Sequence, residues 1–304
     1  NLGIGTAALG GAINGGEYNV AIGNGTLDAL TSADGNVVIG HNAGTALTTG
    51  GNNVIIGREA VQTGVLVGVD NVVIGKKAGD DMTSAANNVI IGKDASPQGT
   101  TGENNVIIGK AANETGILTG NNNTMIGSEA GKVMTSGTNN TLLGLRAGDA
   151  ITTGGESTII GKDAGSAMVD QKLTAVGYQA GQNSTANQNN FFGYTAGKGN
   201  TSGQDNIAIG YAAYDAADTE DHNLAIGNAA MGGPVAGGEY NIAIGNNALD
   251  ALTSADFCTA VGYQAGSAIN SGGYNTLMGH QAGLGMTSGN TNTAVGAGAM
   301  QTNT

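Results

Sequence analysis

The stretch Asn53-Val54-Ile55-Ile56-Gly57-Arg58-Glu59-Ala60 is echoed by Asn71-Val72-Val73-Ile74-Gly75-Lys76-Lys77-Ala78-Gly79, then by Asn88-Val89-Ile90-Ile91-Gly92 and Asn105-Val106-Ile107-Ile108-Gly109. Three β-branched residues in a row, closed each time by glycine, have the length and composition of a short strand. The closing glycine recurs along the whole chain, from Gly5 to Gly296, at intervals of 16, 17 or 18 residues. Four residues before it stands Asn in every coil except those with Ser157, Leu173 and Cys258, and three residues after it stands Ala in all but one, which has Thr26. A period this short leaves no room for two helices and their turns. The expected fold is all-β: a parallel β-solenoid, or β-roll, of about 18 coils of 16–18 residues, forming one continuous domain over 1–304.

Composition agrees with a thin core. Glycine supplies 56 of 304 residues, aromatic residues only 4%, and Trp is absent, so Ala, Val, Ile and Thr must carry most of the apolar volume. A second inward position is expected seven residues after the reference glycine, at Leu30, Leu47, Met82, Met134, Ile151, Met168, Leu252, Ile269 and Met286. The Asn column is expected to form a hydrogen-bonded ladder of stacked amides. A formal charge of −13 argues against nucleic-acid binding, because no basic stripe dominates. All ten Lys and Arg lie between Arg58 and Lys198, leaving both ends purely acidic, which also argues against an anionic membrane surface. No run approaches the length of a membrane helix, so no membrane insertion is expected. The first residues already sit inside a repeat, as in a piece of a longer chain or a processed product.

Strand alternation raises the question of what lies on each face. The residue before the glycine is large and apolar throughout and is assigned to the coil's own core. Its neighbour in the middle of the triplet is then expected to point outward, which makes Val38, Ile55, Val73, Ile90, Ile107, Met125, Leu142 and Ile159 an apolar stripe needing a second burial partner. The economical partner is another copy of the chain.

The segments Asn275-Thr276-Leu277-Met278-Gly279-His280-Gln281-Ala282-Gly283 and Leu173-Thr174-Ala175-Val176-Gly177-Tyr178-Gln179-Ala180-Gly181 resemble the repeats of phage tail fibres, and are similar to the shorter head repeats of trimeric autotransporter adhesins. The resemblance implies a left-handed coil, a homotrimer around a shared axis, and a place in a virion tail fibre or, alternatively, on a bacterial cell surface. It implies attachment to a host-surface glycan or protein receptor.

Catalytic signatures such as Gly-x-Ser-x-Gly, the P-loop and His-Glu-x-x-His are absent from the sequence. No catalytic residue, metal site or cofactor is expected, and the chain reads as a non-enzyme. His41, His222 and His280 lie in widely separated coils. The slot after the reference glycine holds Arg58, Lys76, Lys93 and Lys110 in consecutive coils, read as a solvated ladder, and further along Tyr178, Tyr194, Tyr211 and Tyr263. Exposed tyrosines can stack on sugar faces. Together with the acidic stretch around Tyr214, Asp218, Glu220 and Asp221, Tyr178, Tyr194 and Tyr211 form a candidate glycan or cation contact, the plainer alternative being corner packing and an acidic loop. A fibre-borne polysaccharide depolymerase is a further alternative, since paired carboxylates can hydrolyse a glycan. Cys258 is read as a small buried hydrophobe. Finally, Gly15–Asp34 and Gly237–Asp256 differ at only three positions, as expected of duplicated, interchangeable coils.

Overall fold

The computed structural model describes residues 1–169 and 172–301. It forms two compact units, 1–157 and 158–304. The first holds nine strands, from Leu2–Ile4 to Thr141–Leu143, and the second nine more, from Thr158–Ile160 to Thr293–Val295. Each strand is the aliphatic triplet of one coil, lengthened to four residues at Leu173–Val176 and Asn189–Phe192. Within each unit consecutive strands pair in parallel, and equivalent residues face one another, as in Val37↔Val54, Val38↔Ile55 and Ile39↔Ile56. The result is an all-β, parallel β-solenoid.

The strands alternate as expected but in the opposite phase. The middle residue of the triplet lies inside its own coil: Val38, Ile55, Val73, Ile107, Met125, Leu142 and Ile159 are fully buried, and Ile90 nearly so, in the single chain. They therefore cannot form an interface between chains. The residue before the glycine, expected in the core, faces outward instead; Ile39, Ile56 and Ile74 are partly exposed, and Val295 is 68% exposed. The asparagine sets this phase. Its side chain is buried four residues before the glycine, and the middle residue, two positions on, shares its side of the strand.

The amide ladder itself is present. Asn36 donates from its main-chain N and from Nδ2 to Asn19 Oδ1, both at 3.0 Å, and again from Nδ2 to Gly50 O at 3.0 Å. Asn53 and Asn71 repeat the pattern on the coils below. At Cys258 the main-chain N still donates to Asn241 Oδ1, while the thiol replaces the amide donor and reaches Gly272 O at 3.2 Å. Burial holds this thiol above its usual range, in keeping with an inert core residue. The second inward column is buried as expected, from Leu30 to Met286.

Glycine is demanded at the strand's end. Gly92 has φ +141°, and a Cβ there would strike the Gly109 carbonyl of the next coil. Four residues after it lies a slot in the left-handed region that faces inward. It holds Gly in some coils and a side chain in others, and in most coils the choice tracks the middle of the triplet; Ile55 with Val61 departs from it, as do Ala175 with Gly181 and Ala260 with Gly266, where Phe191 and Leu277 of the next coil take up the space. Val38, Val73, Met125 and Leu277 stand with Gly44, Gly79, Gly131 and Gly283, whereas Ala21, Ala208, Ala225 and Ala243 stand with Leu27, Tyr214, Met231 and Leu249. The two positions share one volume: a Cβ on Gly44 would lie 3.2 Å from Val38 Cγ1. Phe191 is the extreme case, with Gly181 and Gly197 beside its ring and Ala175 and Ala208 paired to it on the adjoining strands.

Candidate functional surface

Five of the seven predicted contact residues are accessible at least in part, and two are not. Tyr214 has no exposed surface and Glu220 only 3%. Tyr214 fills the inward slot of its coil opposite Ala208, so its hydroxyl needs a partner inside; it donates to Glu220 O at 3.1 Å and accepts from Asn223 Nδ2 at 2.9 Å. The Glu220 carboxylate accepts from the main-chain N of Asp218, Thr219 and Gly237 at 3.0, 3.1 and 2.9 Å. Both residues pin a turn and are not available to a glycan. Of the remaining acids, Asp218 accepts a bond from Thr201 Oγ1, and Asp221 accepts from Gln204 N at 2.6 Å.

Tyr178, Tyr194 and Tyr211 do form a row, but a self-stacked one. Ring centroids are 4.9 and 5.2 Å apart with interplanar angles of 19° and 6°, and Lys162 Nζ lies over the Tyr178 ring at 5.6 Å. The faces between Tyr178 and Tyr194 and between Tyr194 and Tyr211 are closed to a sugar by this stacking, while Tyr211 stacks on one side only and is 57% exposed. What the row presents outward is ring edges and phenol hydroxyls. A second row, which the sequence reading missed, occupies the slot just before the ladder residue: His222, Tyr240, Phe257 and Tyr274 stack at 4.7, 5.1 and 5.0 Å. Its members all have φ near +60° and project from a corner. Their common offset from the Asn column was the available signal.

These slots are the two rims of one face. Between them lie the outward residues of each triplet: Val37 with Ile39, Val54 with Ile56, Val72 with Ile74, Val89 with Ile91, all partly exposed. In the second unit the pairs include Ile207 with Ile209, and Ile242 with Ile244. On the rim after the glycine, Arg58 and Lys93 pair with their own neighbours Glu59 and Asp94 at 3.6 and 2.6 Å, as a solvated ladder would. Among the described residues no cluster of His, Cys, Asp and Glu could hold a metal ion, and no helix is long and apolar enough to cross a membrane.

The class that fold and surface define is a parallel β-solenoid repeat protein with an aliphatic outer strand face bordered by polar and aromatic rims. Comparison with family models, curated proteins and solved structures returns no match.

Proposed function

We propose that this chain is the structural and adhesive element of a homotrimeric surface fibre, of the viral tail-fibre kind, that attaches to a host-surface glycan or protein receptor without chemical turnover. The observation that carries the reading is the outer strand face, where the residue before the glycine is apolar in every coil and its outward partner is aliphatic in ten coils, including the seven from Leu2 to Val106, with Thr or Asn190 in the rest. Contiguous apolar surface of that extent exceeds what a soluble monomer ordinarily leaves in water, and a second copy of the same repeat supplies a matching surface at every coil. The exposed ring rows beside it, including Tyr211 at 57% and Tyr274 at 62% exposure, offer edges and hydroxyls for receptor contact. A bacterial surface adhesin would use the same features.

The test is the oligomeric state. Light scattering at micromolar concentration is expected to give three chains per particle. Ile39→Asp, Ile74→Asp and Ile108→Asp together should return monomers that keep their β circular dichroism, since all three side chains face outward. A monomeric wild-type chain at that concentration would overturn the reading.

A further inference from the structure

The two rims of the outer face differ in charge in a systematic way. The rim after the glycine carries Arg58, Lys76, Lys93, Lys110 and Lys162 and no acid in any coil. The rim before the ladder residue carries Asp70, Glu156 and Asp205 and a single cation, Lys172. No coil has like charges on both rims; Lys76 shares a coil with Asp70, and Tyr211 with Asp205. In two coils an aromatic residue stands on each rim, Tyr263 with Phe257 and His280 with Tyr274, while Tyr178, Tyr194 and Tyr240 share their coils with Lys172, Gln188 and Asn246. Among the described residues Lys76 and Asp70 join no ion pair of their own chain. They cannot reach each other there, because the strand between them spans six residue steps, about 20 Å at ~3.3 Å per step.

Rotation about any axis parallel to the coil stack brings the glycine-side rim of one copy against the asparagine-side rim of the next, whatever the number of copies. An antiparallel arrangement instead sets each rim against itself, so Lys76 meets a glycine-side rim that carries no acid in any coil. We infer that the rims fix polarity and register between copies: Lys76 of one chain pairs with Asp70 of its neighbour, and Tyr263 meets Phe257 and His280 meets Tyr274 in the same sense. Rim charges act in this way on partner choice more than on raw affinity. This inference rests on the outer face being an interface between copies, and it adds which residues meet across it.

The experiment mixes two populations in a Cys258→Ser background, one carrying Asp70→Cys and the other Lys76→Cys, each with its own tag. Mild oxidation of the mixed assembly should give disulfide-linked pairs bearing both tags in large excess over same-tag pairs. Separately, Asp70→Lys or Lys76→Glu alone should lower the association constant severalfold, and the two together should restore it. Assembly of the expected size with same-tag links, or with no recovery in the double variant, overturns the rim pairing while leaving the fibre reading intact. Failure of the unsubstituted chain to assemble overturns both.

Discussion

Tyr214 shows how one residue's surroundings set a measurable property. Burial raises its phenol well above the ordinary value near 10. The folded chain thus keeps a proton that the unfolded chain releases, and where the native state binds more protons stability falls as pH rises. Unfolding by denaturant should therefore become easier as pH climbs above 10, and Tyr214→Phe should flatten that slope. At neutral pH the same change should cost about 1–3 kcal/mol, because Asn223 Nδ2 and the Glu220 carbonyl each lose a partner. An equal alkaline slope in both proteins would show that the proton is held elsewhere. Nothing in the sequence around Tyr214 signals burial by itself. The clue is three-dimensional: Ala208, at the middle of the triplet, leaves the space that the tyrosine takes.

At the scale of the coil, that exchange of volume is the rule to test. Phe191→Ala should cost about 3–5 kcal/mol by opening a cavity, and Gly197→Leu about 1–3 kcal/mol by crowding the ring. Combined, they recreate the Ala-with-Leu arrangement that Ala243 and Leu249 already use. The double variant should recover part of the loss, with a coupling of about 0.5–3 kcal/mol in a denaturation cycle; strict additivity would refute the shared-volume account. The strand itself, its glycine end and its amide ladder were legible from spacing alone, because hydrogen bonding between identical coils forces a strict repeat. The facing of the triplet was misread for a physical reason. Both faces are apolar, so hydrophobicity carries no phase, and only the buried Asn at even separation from Ile55 or Ile107 does. The contact residues were half legible: the tyrosine row lay in one slot as expected, yet stacking between coils closes the ring faces between neighbours.

Across the whole molecule, acidic charge sets the response to pH. Asp80, Asp215 and Asp250 are each held above 3.8, burial being the largest cause, with Asp81 and Asp250 adding repulsion at Asp80 and Asp215. A carboxyl raised on folding binds protons more tightly in the native state, so between 3.8 and the folded values stability increases as pH falls. Melting temperature should accordingly hold or rise on mild acidification from neutral pH. Replacing all three by Asn should raise stability at neutral pH and abolish the acid gain. A wild-type melting temperature that drops steadily over that interval would contradict this.

The near-duplicate stretches Gly15–Asp34 and Gly237–Asp256 each keep both halves of one volume exchange, Ala21 with Leu27 and Ala243 with Leu249. This limits where genes for such chains can be spliced. A crossover falling between the strand and the inward slot can join a valine to a leucine and leave a clash, or an alanine to a glycine and leave a hole unless a large residue of the next coil fills it, as Phe191 does beside Ala175 and Gly181. A crossover in the polar turn before the asparagine carries both residues together. Viable recombination breakpoints should therefore cluster in the turns, so that the heritable unit of this architecture begins just ahead of the ladder asparagine.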